Sequence, residues 1–489
     1  MQAWLRISLL LCTFGFFREM RPSEPFVVEY LTGPDRNITS EELNREIYPF
    51  GTYSVLIQLV IVFLITDILR YKAIIIVSAL SGIVLFGILL WTRTVWELLI
   101  GQVFYGTFMA SEVAYYTYIY AKVEKSRYQI VSGHTRSAIL CGKFLGGVLA
   151  QVLVSTDTLD YRELHYISFG SQILSLAVAV ALPSVSQSIY FYKSTNDGDD
   201  SSGGTVAVVG GGDDDNKDKR ESIEGAAAVD QQSSTKSTVS LENGSNENHN
   251  NKIMDRSDSS LNNNDVQPKF SWKNASRLLL QHTVSAYTNP TVLKWSIWWA
   301  LATCGQLQVI SYAQILWKEI DENHESYYNG AVEATVTLLG AVGAMTAGML
   351  NAVHRSQWIL TIGSVLMGAF MIISAVTNIL WVAYAMYVMF GILYFFVITI
   401  ASAIVARNLS DDSFGLIFGI NTLIALILQT ILTLVVVTDA GLGLLPRDQY
   451  IVYGSYFVVL AIIFVAVVIV EQILKCTKRS KDLDVKSIQ

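Results

Sequence analysis

The chain has 489 residues, 52% of them hydrophobic and only 15% charged, with a formal net charge of −7. This composition excludes an ordinary soluble domain and a basic nucleic-acid-binding protein, and it predicts a chain embedded in a lipid bilayer. A hydrocarbon core of about 30 Å needs about 20 helical residues to cross it.

Apolar runs of that length recur almost throughout. The fold class expected is therefore an all-α membrane protein, with about twelve transmembrane helices in two six-helix halves of major facilitator architecture. In the first half the runs fall at 4–30, 47–69, 71–92, 97–121, 128–155 and 162–185. In the second they fall at 290–317, 327–352, 355–377, 379–405, 413–437 and 450–473. The domains expected are a first half at 1–189, a disordered cytosolic linker at 190–272, a second half at 273–474 and a cytosolic tail at 475–489.

The opening "MQAWLRISLLLCTFGFF" is not read as a secretory signal. Bulky Phe16, Phe17, Arg18 and Glu19 stand where a cleavage site needs small residues, and the apolar run resumes at "PFVVEYL". Within that run Glu24 lies between Pro22 and Pro25. Two missing backbone donors predict a bent or locally unwound helix that presents the Glu24 carboxylate to a cavity. The other reading places Glu24 near enough to the outer interface to be hydrated.

The first loop carries Asn37-Ile38-Thr39, a glycosylation acceptor if that loop is extracellular. The linker, rich in Gly, Ser, Asn and Asp, cannot bury enough apolar surface to order itself. Cations at Arg70, Lys72, Lys122, Lys125 and Arg127, with the tail "KCTKRSK", place those ends in the cytosol with both termini. Four scattered cysteines, Cys12, Cys141, Cys304 and Cys476, have no metal-ligand spacing. No nucleophile with its base and no phosphate cradle appears, so neither enzymatic chemistry nor a cofactor is expected.

Function in such a chain resides in ionisable groups inside the spans, which cost several kcal/mol to insert on insertion scales, ~3 each. Those singled out are Glu24, Asp67, Glu112, Arg136, Lys143 and Glu333. Glu112 and Arg136 lie at nearly equal depth, roughly 13 and 12 Å from the inner ends of their runs. With Asp67 nearer the surface, they are expected to form an ion pair, either a permanent structural one or a gate that opens in each cycle. Glu24 and Glu333 sit roughly 10 Å from the outer surface on opposite halves, with no evident cation for either. Lys143 follows Arg136 by about two turns and points into the cavity, while Gly142, Gly146 and Gly147 permit close helix packing.

The stretches "FGFFREMRPSEPF", "YLTGPDRNITSEELNREIYPFGTYS", "LITDILRYK", "FYGTFMASEVAYYTYIY", "RYQIVSGHTRS", "QILWKE", "YYNGAVEA", "FGINTLIALILQTI" and "VYGSYF" closely resemble the vitamin carriers that comprise the thiamine transporters and the reduced folate carrier. The resemblance covers both apolar halves. It implies a plasma-membrane, multi-pass carrier that works by rocking its halves about a central site, with protons as one candidate coupling ion. Folates are dianions that need buried cations, whereas thiamine is a thiazolium that needs carboxylates and aromatic faces. The folate carrier's arginines fall at Glu112 and Gly391 and its lysine at Gln429, so all three cations are absent. The thiamine pattern matches at Glu24, Glu333 and Tyr105, with Tyr48 replacing a phenylalanine. It departs at Gln102, Gly51, Ser311 and Lys143, where that pattern has glutamate, tryptophan, asparagine and tyrosine.

The resemblance thus implies thiamine uptake through Glu24, Tyr48, Gln102, Tyr105, Lys143, Ser311 and Glu333. Lys143 must then be neutralised by Glu24 or Glu333, or deprotonated by burial. The alternative is exchange of organic anions such as folate or phosphorylated thiamine, and a ligand-sensing receptor is the remote one.

Overall fold

The computed structural model of the chain describes residues 3–34, 36, 38–69, 71–122, 128–184, 272–321, 327–349, 356–409 and 414–488. The expected linker lies outside these residues. Those that are described form helices joined by short turns, in one compact unit.

The first half begins with α1 (Ala3–Glu19), a 3-10 turn (Glu24–Phe26) and α2 (Val27–Thr32). There follow α3 (Ser40–Glu42), which leads through a π turn (Leu43–Ile47) into α4 (Tyr48–Leu69), then α5 (Tyr71–Trp91) and α6 (Val95–Ala110). It closes with α7 (Glu112–Lys122), α8 (Tyr128–Ser155) and α9 (Tyr161–Ala181). The second half comprises α10 (Trp272–Thr288), α11 (Pro290–Ile320), α12 (Asn329–Met349), α13 (Ser356–Val376), α14 (Leu380–Arg407), α15 (Phe414–Val436) and α16 (Pro446–Ile488). Two features depart from the expected boundaries. The amphipathic α10 precedes the second set of apolar runs, and α16 continues without a break through the residues expected as a tail.

Among the described residues, eight helices are long and apolar enough to cross a membrane. The other expected spans fall on α1 with α2, α4, α6 with α7, and α11. Two of these are interrupted, and α11 turns Gln308, Ser311 and Gln314 along its length. Large apolar side chains such as Ile57, Val84, Leu338 and Ile462 are exposed over the outside of the bundle. That surface is stable against hydrocarbon rather than water.

The break in the first span has the predicted cause. Pro22 and Pro25 supply no backbone donor, so the helix stops at Glu19 and restarts at Val27 after the 3-10 turn. Helix α9 satisfies the groups left over. Ser171 Oγ donates to the Phe17 carbonyl (2.7 Å), Gln172 Nε2 to the Arg18 carbonyl (3.1 Å), and Ser23 N to Ser168 Oγ (3.2 Å). Ser168, Ser171 and Gln172 are buried polar residues for this reason.

The two halves meet at the end of the bundle that carries α2 and α3. There α8 packs on α12 with Gly147 facing Gly330, so close that a Cβ on Gly147 would stand 2.8 Å from the Gly330 carbonyl oxygen. Ala331 N donates to Gln151 Oε1 (3.1 Å) across the same seam. Arg45 Nη1 reaches Asp439 Oδ1 at 2.7 Å, and Lys318 Nζ contacts Thr32 Oγ1. Deeper in the bundle, Leu59 and Val62 of α4 share an apolar cluster with Leu423 and Leu426 of α15.

Candidate functional site

The break between α1 and the 3-10 turn gathers charge. Arg18, Glu19 and Arg21 are all buried, and Glu19 is the centre of the group. Its Oε1 lies 2.5 Å from Arg18 Nη1, while its Oε2 lies 2.8 Å from Arg21 Nη2 and 3.4 Å from Lys143 Nζ. Three cations around one carboxylate leave positive charge over, and two further carboxylates take it up. Arg18 Nη1 stands 3.6 Å from Glu112 Oε2, and Arg21 Nη1 stands 3.2 Å from Glu24 Oε1.

A second break assists. Helix α6 ends at Ala110 and α7 begins at Glu112, so carbonyls near Ser111 lose some of their helical partners. Arg18 Nη2 donates to the Phe108 carbonyl (2.9 Å), to which Ser78 Oγ also donates (3.3 Å). The Arg18 guanidinium lies over the Phe108 ring at 4.4 Å. Buried charges in this number are tolerated only because each is paired and hydrogen-bonded.

The expected gate is therefore corrected. Glu112 approaches Arg18, and among the described residues it has no ion pair with Arg136, whose side chain is exposed. Equal depth along two helices does not bring side chains together when the helices present different faces. The expected neutraliser of Lys143 is corrected too: its partner is Glu19, neither Glu24 nor Glu333. Nor is Glu24 without a cation, because Arg21 supplies one. The Asp67 side chain and Asn37 lie outside the described residues.

Two groups of this lattice keep about half of their side chains exposed. The Lys143 side chain is 48% exposed although its partner Glu19 is only 3% exposed, and Glu24 is 50% exposed. Across from them Glu333 accepts a hydrogen bond from the Tyr387 hydroxyl (2.8 Å) and faces Glu24 and Lys143. Tyr105 faces Glu24 and Arg21, and Tyr48 packs edge-on against Tyr312 at 6.0 Å. Lys143, Glu24, Glu333, Tyr105 and Tyr48 thus lie near one another.

Two others do not. Ser311 Oγ donates back to the Leu307 carbonyl of its own helix (2.8 Å). Gln102 lies so close over Gly51 that any Cβ at 51 would collide with its Oε1. Positions 51 and 102 are therefore in direct contact.

Sequence reasoning passed over Arg18, Glu19 and Arg21, although three charges in four residues inside an apolar run were a signal. Gln314 was missed as well. Its Nε2 donates to the Glu24 carbonyl (3.0 Å) and its Oε1 accepts from Val28 N (3.4 Å), tying the broken helix to the opposite half.

A family model described as Reduced folate carrier matches residues 2–452. Thiamine transporter 1 of Homo sapiens is 37% identical over 481 residues, covering 98% of this chain and 92% of that protein. Folate transporter 1 of Caenorhabditis elegans is 34% identical over 465 residues, covering 94% and 91%. Among solved structures, the POT family transporter PepTSo superposes with a TM-score of 0.62 at 10% identity, covering 97% of this chain and 99% of the other, a likeness of fold alone.

Proposed function

The chain belongs to the reduced folate carrier family, and from that premise we propose that it carries thiamine inward across the plasma membrane by alternating access. Members of this family are membrane transporters, so the chain is a multi-pass vitamin transporter and not an enzyme.

One observation carries the choice of thiamine, namely the charge of the site. Arg18, Arg21 and Lys143 are matched by Glu19, Glu24 and Glu112, and Glu333 adds a fourth carboxyl on the opposite half. A thiazolium placed between Glu24 and Glu333, with Tyr48 and Tyr105 as aromatic faces, meets complementary charge from both halves. Gln102 would receive the aminopyrimidine as a neutral amide. Lys143 repels the cation little while Glu19 holds it.

Closure of the halves at α2, α8 and α12 supports a carrier that opens its two ends in turn. The basic loops and tail support an orientation with both termini and the linker in the cytosol and the Asn37 loop, glycosylated, outside. A proton taken by Glu24 or Glu333 as the cation departs supplies the coupling ion in this reading.

A second reading rests on the exposure of Lys143. An ammonium released from Glu19 would serve an organic anion, folate or phosphorylated thiamine. The test is uptake of labelled thiamine by cells expressing the chain, competed by excess thiamine, pyridoxine, thiamine monophosphate and folate. Inhibition by thiamine supports the first reading, and inhibition by folate alone overturns it. Accumulation inside sealed proteoliposomes excludes a receptor that binds without transport.

A further inference from the structure

One buried acid takes no part in the site. Glu29 of α2 is 6% exposed and lies at the seam between the halves. Its Oε1 accepts from Asn329 Nδ2 of α12 (3.1 Å), and Asn329 Oδ1 accepts from the Tyr384 hydroxyl of α14 (2.8 Å). Its Oε2 has no hydrogen-bond partner among the described residues. Tyr48 of α4, Tyr161 of α9 and Tyr384 face it, and none of these supplies a positive charge. Lys318 of α11 is the cation in its field, but that ammonium contacts Thr32 Oγ1 and makes no ion pair with Glu29 within 4.0 Å among the described residues.

An ionised carboxylate sealed from water needs a paired cation or several donors, and Glu29 has only the Asn329 amide and its own backbone N–H. A neutral acid fits these surroundings with far less penalty, its carbonyl oxygen accepting from Asn329. When the halves part at this end, the bond from Asn329 breaks and water reaches the carboxyl, which then ionises. Re-forming the seam requires the proton back.

We propose that Glu29 is a proton-binding site at the seam, which makes closure of this end of the carrier depend on the proton activity of the compartment it faces. The proton enters and leaves on the same side, so it sets the balance between open and closed carrier without being counted as cargo. The proposal rests on the alternating-access reading above, with the α2 end outside. The sign follows from linkage. The closed state holds the proton more tightly, so acid outside favours closure and alkali favours opening, by up to about tenfold per pH unit for one proton.

The experiment reads the seam directly in cells expressing the full chain with Cys12, Cys141, Cys304 and Cys476 replaced by alanine. A reporter cysteine is placed by Val28→Cys, a fully buried position beside Glu29 whose backbone N–H bonds Gln314. Its rate of labelling by a membrane-impermeant maleimide is followed from external pH 5.5 to 8. It is divided by the rate for Ser40→Cys, an exposed position, to remove the reagent's own pH dependence.

The normalised rate is expected to rise at least tenfold with pH in the Glu29 chain, and to stay low and flat after Glu29→Gln. Glu29→Asp, which keeps an acid, retains a rising profile. A flat profile in the Glu29 chain, or an equal rise after Glu29→Gln, overturns the proposal. If Glu29→Gln does not reach the surface, Glu29→Met takes its place with the same expectation. Labelling needs no substrate, so a chain that fails to carry thiamine still tests Glu29, and thiamine uptake with flat labelling overturns Glu29 alone.

Discussion

Lys143 Nζ stands 3.4 Å from Glu19 Oε2, which joins a half-exposed ammonium on α8 to a fully enclosed carboxylate at the broken end of α1. The pair decides what the ammonium can do for a substrate. Because Glu19 keeps Arg18 and Arg21, it stays paired when Lys143 is removed. Lys143→Tyr is therefore expected to reach the surface and preserve or raise thiamine uptake, while lowering any uptake of folate or thiamine monophosphate. The ratio of these uptakes at matched surface expression is the measurement. Loss of all uptake by a surface-exposed Lys143→Tyr would make the anion reading the better one.

Glu24→Gln and Glu333→Gln keep volume and hydrogen bonding but remove charge. Each is expected to weaken thiamine uptake about tenfold or more, equivalent to about 1.4 kcal/mol. Glu24→Gln also leaves Arg21 with Glu19 alone, so its effect should be the larger. Initial uptake rates at subsaturating substrate measure both, and rates equal to wild type would reduce these carboxylates to hydrated structural groups.

Arg18 and Arg136 are expected to behave differently. Arg18→Ala removes a guanidinium bound to Glu19, Glu112 and the Phe108 carbonyl, and breaking such a buried pair costs about 3–5 kcal/mol. Surface expression should collapse. Arg136→Ala, at an exposed position, should change stability by no more than about 0.5 kcal/mol. Exchanging Glu112 and Arg136 should give no mutual rescue; recovery of transport in the double exchange would restore the pair expected from depth alone.

Gly147→Leu puts side-chain atoms where Gly330 O and Ala334 N approach within 2.8 and 3.0 Å of a Cβ. The atoms met are backbone, which cannot swing aside as a flexible side chain does, so α8 and α12 are forced apart. Uptake is expected to fall at least about tenfold, while labelling of a cysteine at Val28 from outside speeds up. Slower labelling would show that the seam closes regardless.

Arg45→Ala removes the tie from the π turn to Asp439. Asp439 is mostly exposed, so the loss is at most about 1 kcal/mol and shrinks in high salt. The same labelling should quicken by no more than about fivefold at low ionic strength, with little difference at 1 M salt. A salt-independent effect would point to packing instead of charge.

The apolar runs, the broken helix at Pro22 and Pro25 and the closeness of Gly147 to a neighbour were legible in the sequence, because each depends on a local property of the chain. Hydrophobic length specifies a span, a missing N–H ends a helix, and a missing Cβ admits a partner. The meeting of Glu24, Tyr105, Lys143 and Glu333 was legible only through resemblance. Which charges pair was not legible at all. Distance along a helix gives depth, but pairing also needs the rotation of each helix and the path of its backbone. Both are set by how every helix packs against its neighbours. Depth alone put Glu112 opposite Arg136; packing turned it toward Arg18. The same packing buried Glu29 against Asn329 across 300 residues of chain, a relationship that no local property of "FVVEYL" contains.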